Sequence, residues 1–167
     1  MLSAMRLSDG VEWAVHLCAV LAAAPKGKAV PGAKLAEFND LPPAYLAKHL
    51  QALSRAGIVD ADRGAKGGYR LARAPSEISL LDIVLAIEGS QPVFRCTEIR
   101  QRGPCAAPPS ACRKPCLIAR AFLAAEAAWR QALASVTIAE LNALAGAEAF
   151  DDKRRREFRA WLAAAVQ

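Results

Sequence analysis

Pro43-Ala44-Tyr45-Leu46-Ala47-Lys48-His49-Leu50-Gln51-Ala52-Leu53-Ser54-Arg55-Ala56-Gly57, followed by Ile58-Val59-Asp60-Ala61-Asp62 and Arg63-Gly64-Ala65-Lys66-Gly67-Gly68-Tyr69-Arg70-Leu71-Ala72, decides the fold. Leu46, Leu50 and Leu53 recur at helical spacing, so the first run is an amphipathic helix with one apolar stripe. Proline opens it and Gly57 stops it. Its exposed face is expected to offer Tyr45, Lys48, His49, Gln51, Ser54 and Arg55. Two β-prone runs over 58–62 and 69–72 flank a glycine-rich, basic turn, which is the pattern of a β-hairpin.

Upstream, Gly32 to Phe38 forms a short helix and Asn39-Asp40-Leu41-Pro42 a turn. Before that, Ser8 caps a helix over 8–23, with Val11, Val15, Cys18 and Ala22 at helical spacing and Pro25-Lys26-Gly27 beyond its end. Downstream, Pro75 to Ser79 leads into a helix over 80–88 that Gly89 ends. Residues 90–116 hold five prolines and four cysteines and are expected to carry little regular structure. An alanine-rich helix then runs from Leu117 to about Ser135, a short one over 137–144 and a last one over 151–166. The fold class is mainly α with a small β-hairpin wing: a winged helix-turn-helix over 1–90, a cysteine-bearing loop over 91–116 and helices over 117–167.

Helix, turn, helix and hairpin in this order suit DNA. The second helix of such a pair enters the major groove, about 12 Å wide, while the first lies across the backbone. Tyr45, Lys48, His49, Gln51 and Arg55 are of types that bind phosphates or read base edges. Arg63 and Lys66 sit among glycines at the hairpin tip, where Gly67 lets the backbone approach a duplex and an arginine suits a narrow minor groove. The tip is not a phosphate-binding loop, because no Gly-Lys-Ser/Thr follows and its glycines lie between strands.

Charge agrees. The chain carries a net charge of +6, and residues 91–120 alone hold six basic residues against one acidic. Within 42–73 there are six basic and two acidic residues. Such patches favour a polyanion. An enzyme is not expected: the two histidines, His16 and His49, have no recognisable nucleophile or acid beside them, and His16 reads as a packing residue. Membrane insertion is not expected either. No apolar run reaches the roughly 20 residues that span a bilayer, and Val11 to Ala24 holds Glu12 and His16, so it reads as a buried helix of a cytoplasmic protein.

Four of the five cysteines fall within 21 residues, spaced Cys96-x8-Cys105-x6-Cys112-x3-Cys116. Clustering of this kind favours metal or redox chemistry over structural disulfides. Soft thiolates suit an iron–sulfur cluster. They also suit tetrahedral zinc, although the short paired spacings zinc favours are absent. A thiol–disulfide switch is the third reading, since Arg95, Arg100, Arg102, Arg113 and Lys114 surround the thiols in sequence. Cys18, on an apolar helix face, reads as core.

Met5-Arg6-Leu7-Ser8, Tyr45-Leu46-Ala47-Lys48-His49-Leu50, Arg63-Gly64-Ala65-Lys66-Gly67-Gly68-Tyr69 and Ile78-Ser79-Leu80-Leu81-Asp82-Ile83 resemble the Rrf-two family of bacterial regulators, of the IscR and NsrR type. Gly10-Val11-Glu12-Trp13-Ala14 and Cys96 to Pro104 resemble its RsrR-like branch most. The resemblance covers roughly residues 5–145 and places the functional start at Met5. It implies a homodimer joined through the long helix, each subunit reading half of a near-palindromic DNA operator, most simply as a repressor. It implies an iron–sulfur cluster, 2Fe-2S in preference to 4Fe-4S, that senses redox or nitric oxide and iron status. Cys112 and Cys116 match the thiolate pair on one iron, and Glu12 matches an acidic ligand supplied by the partner subunit. Asn39 stands where the branch has a histidine ligand, and a neutral amide is a poor ligand for iron. Cys105 is one replacement, and Cys96, matching the first cysteine of the general triplet, is the other. Arg63 matches the family's minor-groove arginine. Ala47 stands where some members carry a base-reading acid, so operator sequence does not carry over. Two other readings stand beside this one: a cluster-free thiol–disulfide regulator, and an iron–sulfur electron-transfer or carrier protein.

Overall fold

The computed structural model describes residues 6–62, 64, 67–149 and 151–166. Its chain forms two compact units, residues 1–89 with 133–167, and residues 90–132.

The first unit starts with α1 (Asp9–Ala23), α2 (Gly32–Asn39) and α3 (Pro43–Arg55). Asp40 closes α2 in the left-handed region at φ 49°, a conformation Asp tolerates. Leu41 N–H then donates to the Ala36 carbonyl at 3.0 Å, and Pro43 opens the next helix. Strands β1 (Val59–Asp62) and β2 (Gly68–Leu71) pair antiparallel, Val59 opposite Leu71 and Asp62 opposite Gly68. Val30 adds a short third edge: Tyr69 N–H and Val30 N–H each donate to the other's carbonyl at 2.9 Å. Gly68 is required there, because a Cβ would lie 2.8 Å from the Val30 carbonyl carbon and oxygen.

α4 (Leu80–Glu88) begins in a capping box, with Ser79 Oγ accepting from Asp82 N–H at 3.1 Å and Asp82 accepting from Ser79 N–H at 2.9 Å. α6 (Ile138–Leu144) starts the same way on Thr137 and Glu140. α7 (Asp152–Ala165) closes the unit. The core runs through Leu17, Cys18, Leu35, Leu46, Leu50, Leu53, Ile58, Ile78, Ile83 and Ile138, all fully buried, with Leu162 of α7 at its edge. Ser8 does precede α1, but its N–H and Oγ both donate to Glu88 Oε1, at 2.9 and 2.6 Å, so the side chain ties α1 to the end of α4 and does not cap its own helix.

The second unit holds two short 3-10 turns, Ile99–Gln101 and Pro109–Cys112, then most of α5 (Leu117–Ala134). The prolines keep the remainder irregular. Among the described residues no helix is long and apolar enough to cross a membrane.

Candidate DNA reader and thiol site

α3 offers a polar face because its apolar stripe is consumed by the core. Leu46, Leu50 and Leu53 are buried, and Tyr45, Lys48, Gln51, Ser54 and Arg55 are exposed. His49 departs from the expectation that it shares this face. It is 8% exposed, because its ring sits edge-on to Trp13 with centroids 5.5 Å apart and lies over Gly10. A Cβ on Gly10 would come within 2.5 Å of His49 Cε1, so glycine makes the room for the ring. Burial, with Lys48 nearby, lowers the His49 pKa from its ordinary 6.5. Tyr45, 57% exposed, meets the same Trp13 edge-on at 5.9 Å. The α1 side of this contact was not legible in sequence, since Trp13 reads there only as one residue of a motif. His16, expected to pack, is exposed.

Arg63 and Lys66 lie outside the described residues, as does Met5. Gly67 is half-buried, and its N–H donates to the Gly64 carbonyl at 2.8 Å, closing the wing turn. Beneath it Arg70 bonds both wing acids, Asp62 and, at 3.2 Å, Asp60. The wing acids therefore face a paired cation.

In the second unit Cys96 and Cys105 are exposed, and Cys112 and Cys116 are half-buried. Glu98, the one acid of residues 91–120, collects two of them. Its Oε1 accepts from Cys96 Sγ at 3.6 Å, and the Cys112 thiol lies near enough to help keep the carboxyl charged. Arg100 donates to Glu98 Oε2 through Nε at 3.2 Å and Nη2 at 2.8 Å, and to the Lys114 carbonyl at 3.2 Å. Chiefly through that bond, Arg100 holds the Glu98 carboxyl below its usual range. Glu98 itself sits at φ 50°, in the left-handed region. Cys116 Sγ accepts from Ala119 N–H at 3.3 Å, at the start of α5. Phe94 stacks on Phe122 at 4.5 Å and closes one side of an open cavity of about 360 Å³ lined by Arg95, Cys96, Glu98, Cys112 and Arg113.

The structure thus brings Cys96 and Cys112 to one carboxylate and leaves Cys105 on the surface. No three His, Cys, Asp or Glu side chains converge tightly enough to grip a metal ion among the described residues. The sequence singles out Arg100 but not Glu98, whose only signal there is its two-residue spacing from Cys96. Glu12 is exposed on α1. Asn39 Nδ2 donates to the Leu35 carbonyl at 3.0 Å, which turns the amide nitrogen back onto its own helix. Cys18 is fully buried, and burial pushes its thiol up to about 12.

The family model for Rrf2, described as iron-dependent transcriptional regulator, matches residues 7–143. The regulator NsrR of Shouchella clausii is 28% identical over 137 residues, 82% of this chain and 88% of its own length. A Synechocystis protein named as an HTH-type regulator is 41% identical over 90 residues, 54% of this chain and 61% of its length. The chain spans little more than half the length of several such relatives, 53% for one from Mycobacterium tuberculosis at 39% identity. Among solved structures, Staphylococcus aureus CymR in an oxidized form is 26% identical with a TM-score of 0.60, covering 83% of this chain and 96% of that one. IscR of T. potens is 25% identical with a TM-score of 0.62, over 87% and 90%. Together with the helix-turn-helix, the wing and the long α5, the match over residues 7–143 means that the chain belongs to the Rrf2 family of transcriptional regulators.

Proposed function

We propose that the chain is a cytoplasmic DNA-binding regulator that acts as a homodimer on a near-palindromic operator and senses redox or nitric oxide and iron status through an iron–sulfur cluster, 2Fe-2S in preference to 4Fe-4S. The observation that carries the reader half is the exposed row Tyr45, Lys48, Gln51 and Arg55 on a helix whose other face is locked into the core. The wing residues Arg63, Lys66 and Gly67 supply the minor-groove and phosphate contacts. His49 then acts by seating α3 against α1 and not by touching DNA.

The sensor half rests on the gathering of soft donors around Glu98. Cys112 and Cys116 both precede α5 and are half-buried, Cys112 lines the cavity, and thiolates suit iron. These two hold the cluster, with Cys96 or Cys105 and Glu12 of the partner subunit completing the set. Cys96 is favoured over Cys105 because it already shares Glu98 with Cys112. When bound, the cluster supplies a reversible one-electron centre and a target for nitric oxide. The chain's own part is to hold the thiols, to keep Arg100 near their negative charge and to pass any movement of the loop into α5. The family's description as iron-dependent agrees with this reading.

The same geometry supports a second reading. Two thiols on one carboxylate are placed to approach each other, which a cluster-free disulfide switch needs, and the CymR structure is of an oxidized form. One experiment separates the two. Protein isolated without oxygen is assayed for iron and acid-labile sulfide, with its visible spectrum followed during reduction, beside Cys112→Ala. The proposal expects iron and sulfide in the parent and their loss in the variant. Iron-free protein whose oxidised form shows a Cys96–Cys112 peptide pair by mass spectrometry would overturn it in favour of the switch. Cluster-loaded protein with no preference for any duplex would instead point to an electron carrier.

A further inference from the structure

The family match ends at residue 143, and α7 lies beyond it. Its sequence is Asp-Lys-Arg-Arg-Arg-Glu-Phe-Arg over 152–159, five cations against two acids. Their position on the helix is unusual. Cations are favourable at the C-terminal end of a helix and unfavourable in the first turn, where the helix dipole is positive. Here Lys153, Arg154 and Arg155 follow Asp152 in the first turn, and the last turn has no cation at all. Asp151 and Asp152 relieve part of that conflict, Asp151 by accepting from Arg154 N–H at 2.8 Å. A cation pattern set only by solubility would follow the dipole. A local rule broken with only partial local relief points to a function.

The patch is also held firmly. Phe158 and Trp161 close on Phe38 of α2, with ring centroids 5.6 and 4.3 Å apart, and Leu162 and Ala165 are buried in the core. α2 is the first helix of the helix-turn-helix, the one that lies across the phosphate backbone when the second enters the groove. Phe38 lies at its end, just before the turn that delivers Tyr45. On α7, Lys153, Arg156 and Arg159 follow at spacings of three, so they share one side of the helix. All three are exposed. Lys153 has only a loose pairing with Glu157, 3.8 Å apart.

We infer that α7 is a second DNA contact, in which Lys153, Arg156 and Arg159 meet backbone phosphates flanking the bases read by α3. The inference rests on the DNA-binding reading above. The patch adds sequence-independent affinity and lengthens the footprint, and it adds no base preference.

The test uses the full chain and a duplex that the protein itself enriches from a random-sequence pool, in a long form and in a form trimmed to the enriched bases. Affinity is measured over a range of salt for the parent, for the triple variant K153Q/R156Q/R159Q and for R156K/R159K. Each phosphate contact contributes about 0.9 to the slope of log affinity against log salt. The triple variant should therefore lose a slope of about two to three on the long duplex and bind it at least tenfold more weakly, with little change on the trimmed one. Its ratio of enriched to random affinity should stay as in the parent, and R156K/R159K should keep the parent slope. A triple variant with the parent's melting temperature, affinity and slope overturns the inference alone. A parent chain that enriches no sequence overturns the functional reading, and this inference with it.

Discussion

His49 illustrates how one residue changes role when its surroundings are known. Its spacing places it next to the exposed row of α3, yet its ring is pinned under Trp13 and over Gly10. Burial there disfavours the charged imidazolium, so the folded pKa lies below the ordinary 6.5. The unfolded chain then binds more protons than the folded one over that interval. Stability from this group is fully present above pH 6.5 and is lost as pH falls through the depressed folded value. Chemical denaturation at pH 7.5 and pH 5.5 should show a larger loss for the parent than for His49→Gln; equal losses would mean that the ring titrates freely. Cys18 offers a companion measurement. With its thiol raised to about 12 by burial, almost none is thiolate at neutral pH. Alkylation of folded protein followed by peptide mass spectrometry should label the exposed Cys96 and Cys105 first and reach Cys18 only on unfolding.

At the scale of elements, the wing depends on a close approach between β2 and Val30. No side-chain motion can relieve a Cβ placed 2.8 Å from backbone atoms, so Gly68→Ala must push β2 away from Val30. Overpacking of this kind costs about 1–3 kcal/mol. A lowered melting temperature together with weakened duplex binding is expected, and an unchanged melt would show that the strand edge yields without cost. The hairpin was legible in sequence from its two β-prone runs and its glycines. The third edge at Val30 was not, because pairing across 39 residues of chain leaves no local pattern. The Cys96–Glu98–Cys112 meeting is of the same kind. The cysteine spacing marks residues 96–116 as a candidate thiol site, but no local pattern shows that Cys96 and Cys112 both lie near Glu98.

For the whole molecule, α5 carries the consequence. Leu117, Ile118, Phe122 and Leu123 are 79%, 64%, 52% and 44% exposed, an apolar stretch of a size that soluble chains cover with a partner. The proposed homodimer covers it with a second α5. Ile118→Glu should shift the sedimentation of the chain from dimer to monomer and weaken binding to a two-half-site duplex more than to a single half-site. A dimer that survives this substitution would place the interface elsewhere.

The amino-acid sequence by itself determined the kinds and order of the main helices and the hairpin, the buried stripe Leu46, Leu50 and Leu53, and the concentration of cysteines. These follow from periodicity, capping and turn chemistry, which act over a few residues. Only the tertiary structure decided that His49 belongs to the core, that Ser8 ties α1 to α4, that Glu98 gathers Cys96 and Cys112, and that α7 is fastened to α2 by Phe38. Each of these is a contact between segments far apart in the chain. Its free energy comes from burial and hydrogen bonding created by folding, and no local pattern encodes which distant surface a side chain will meet.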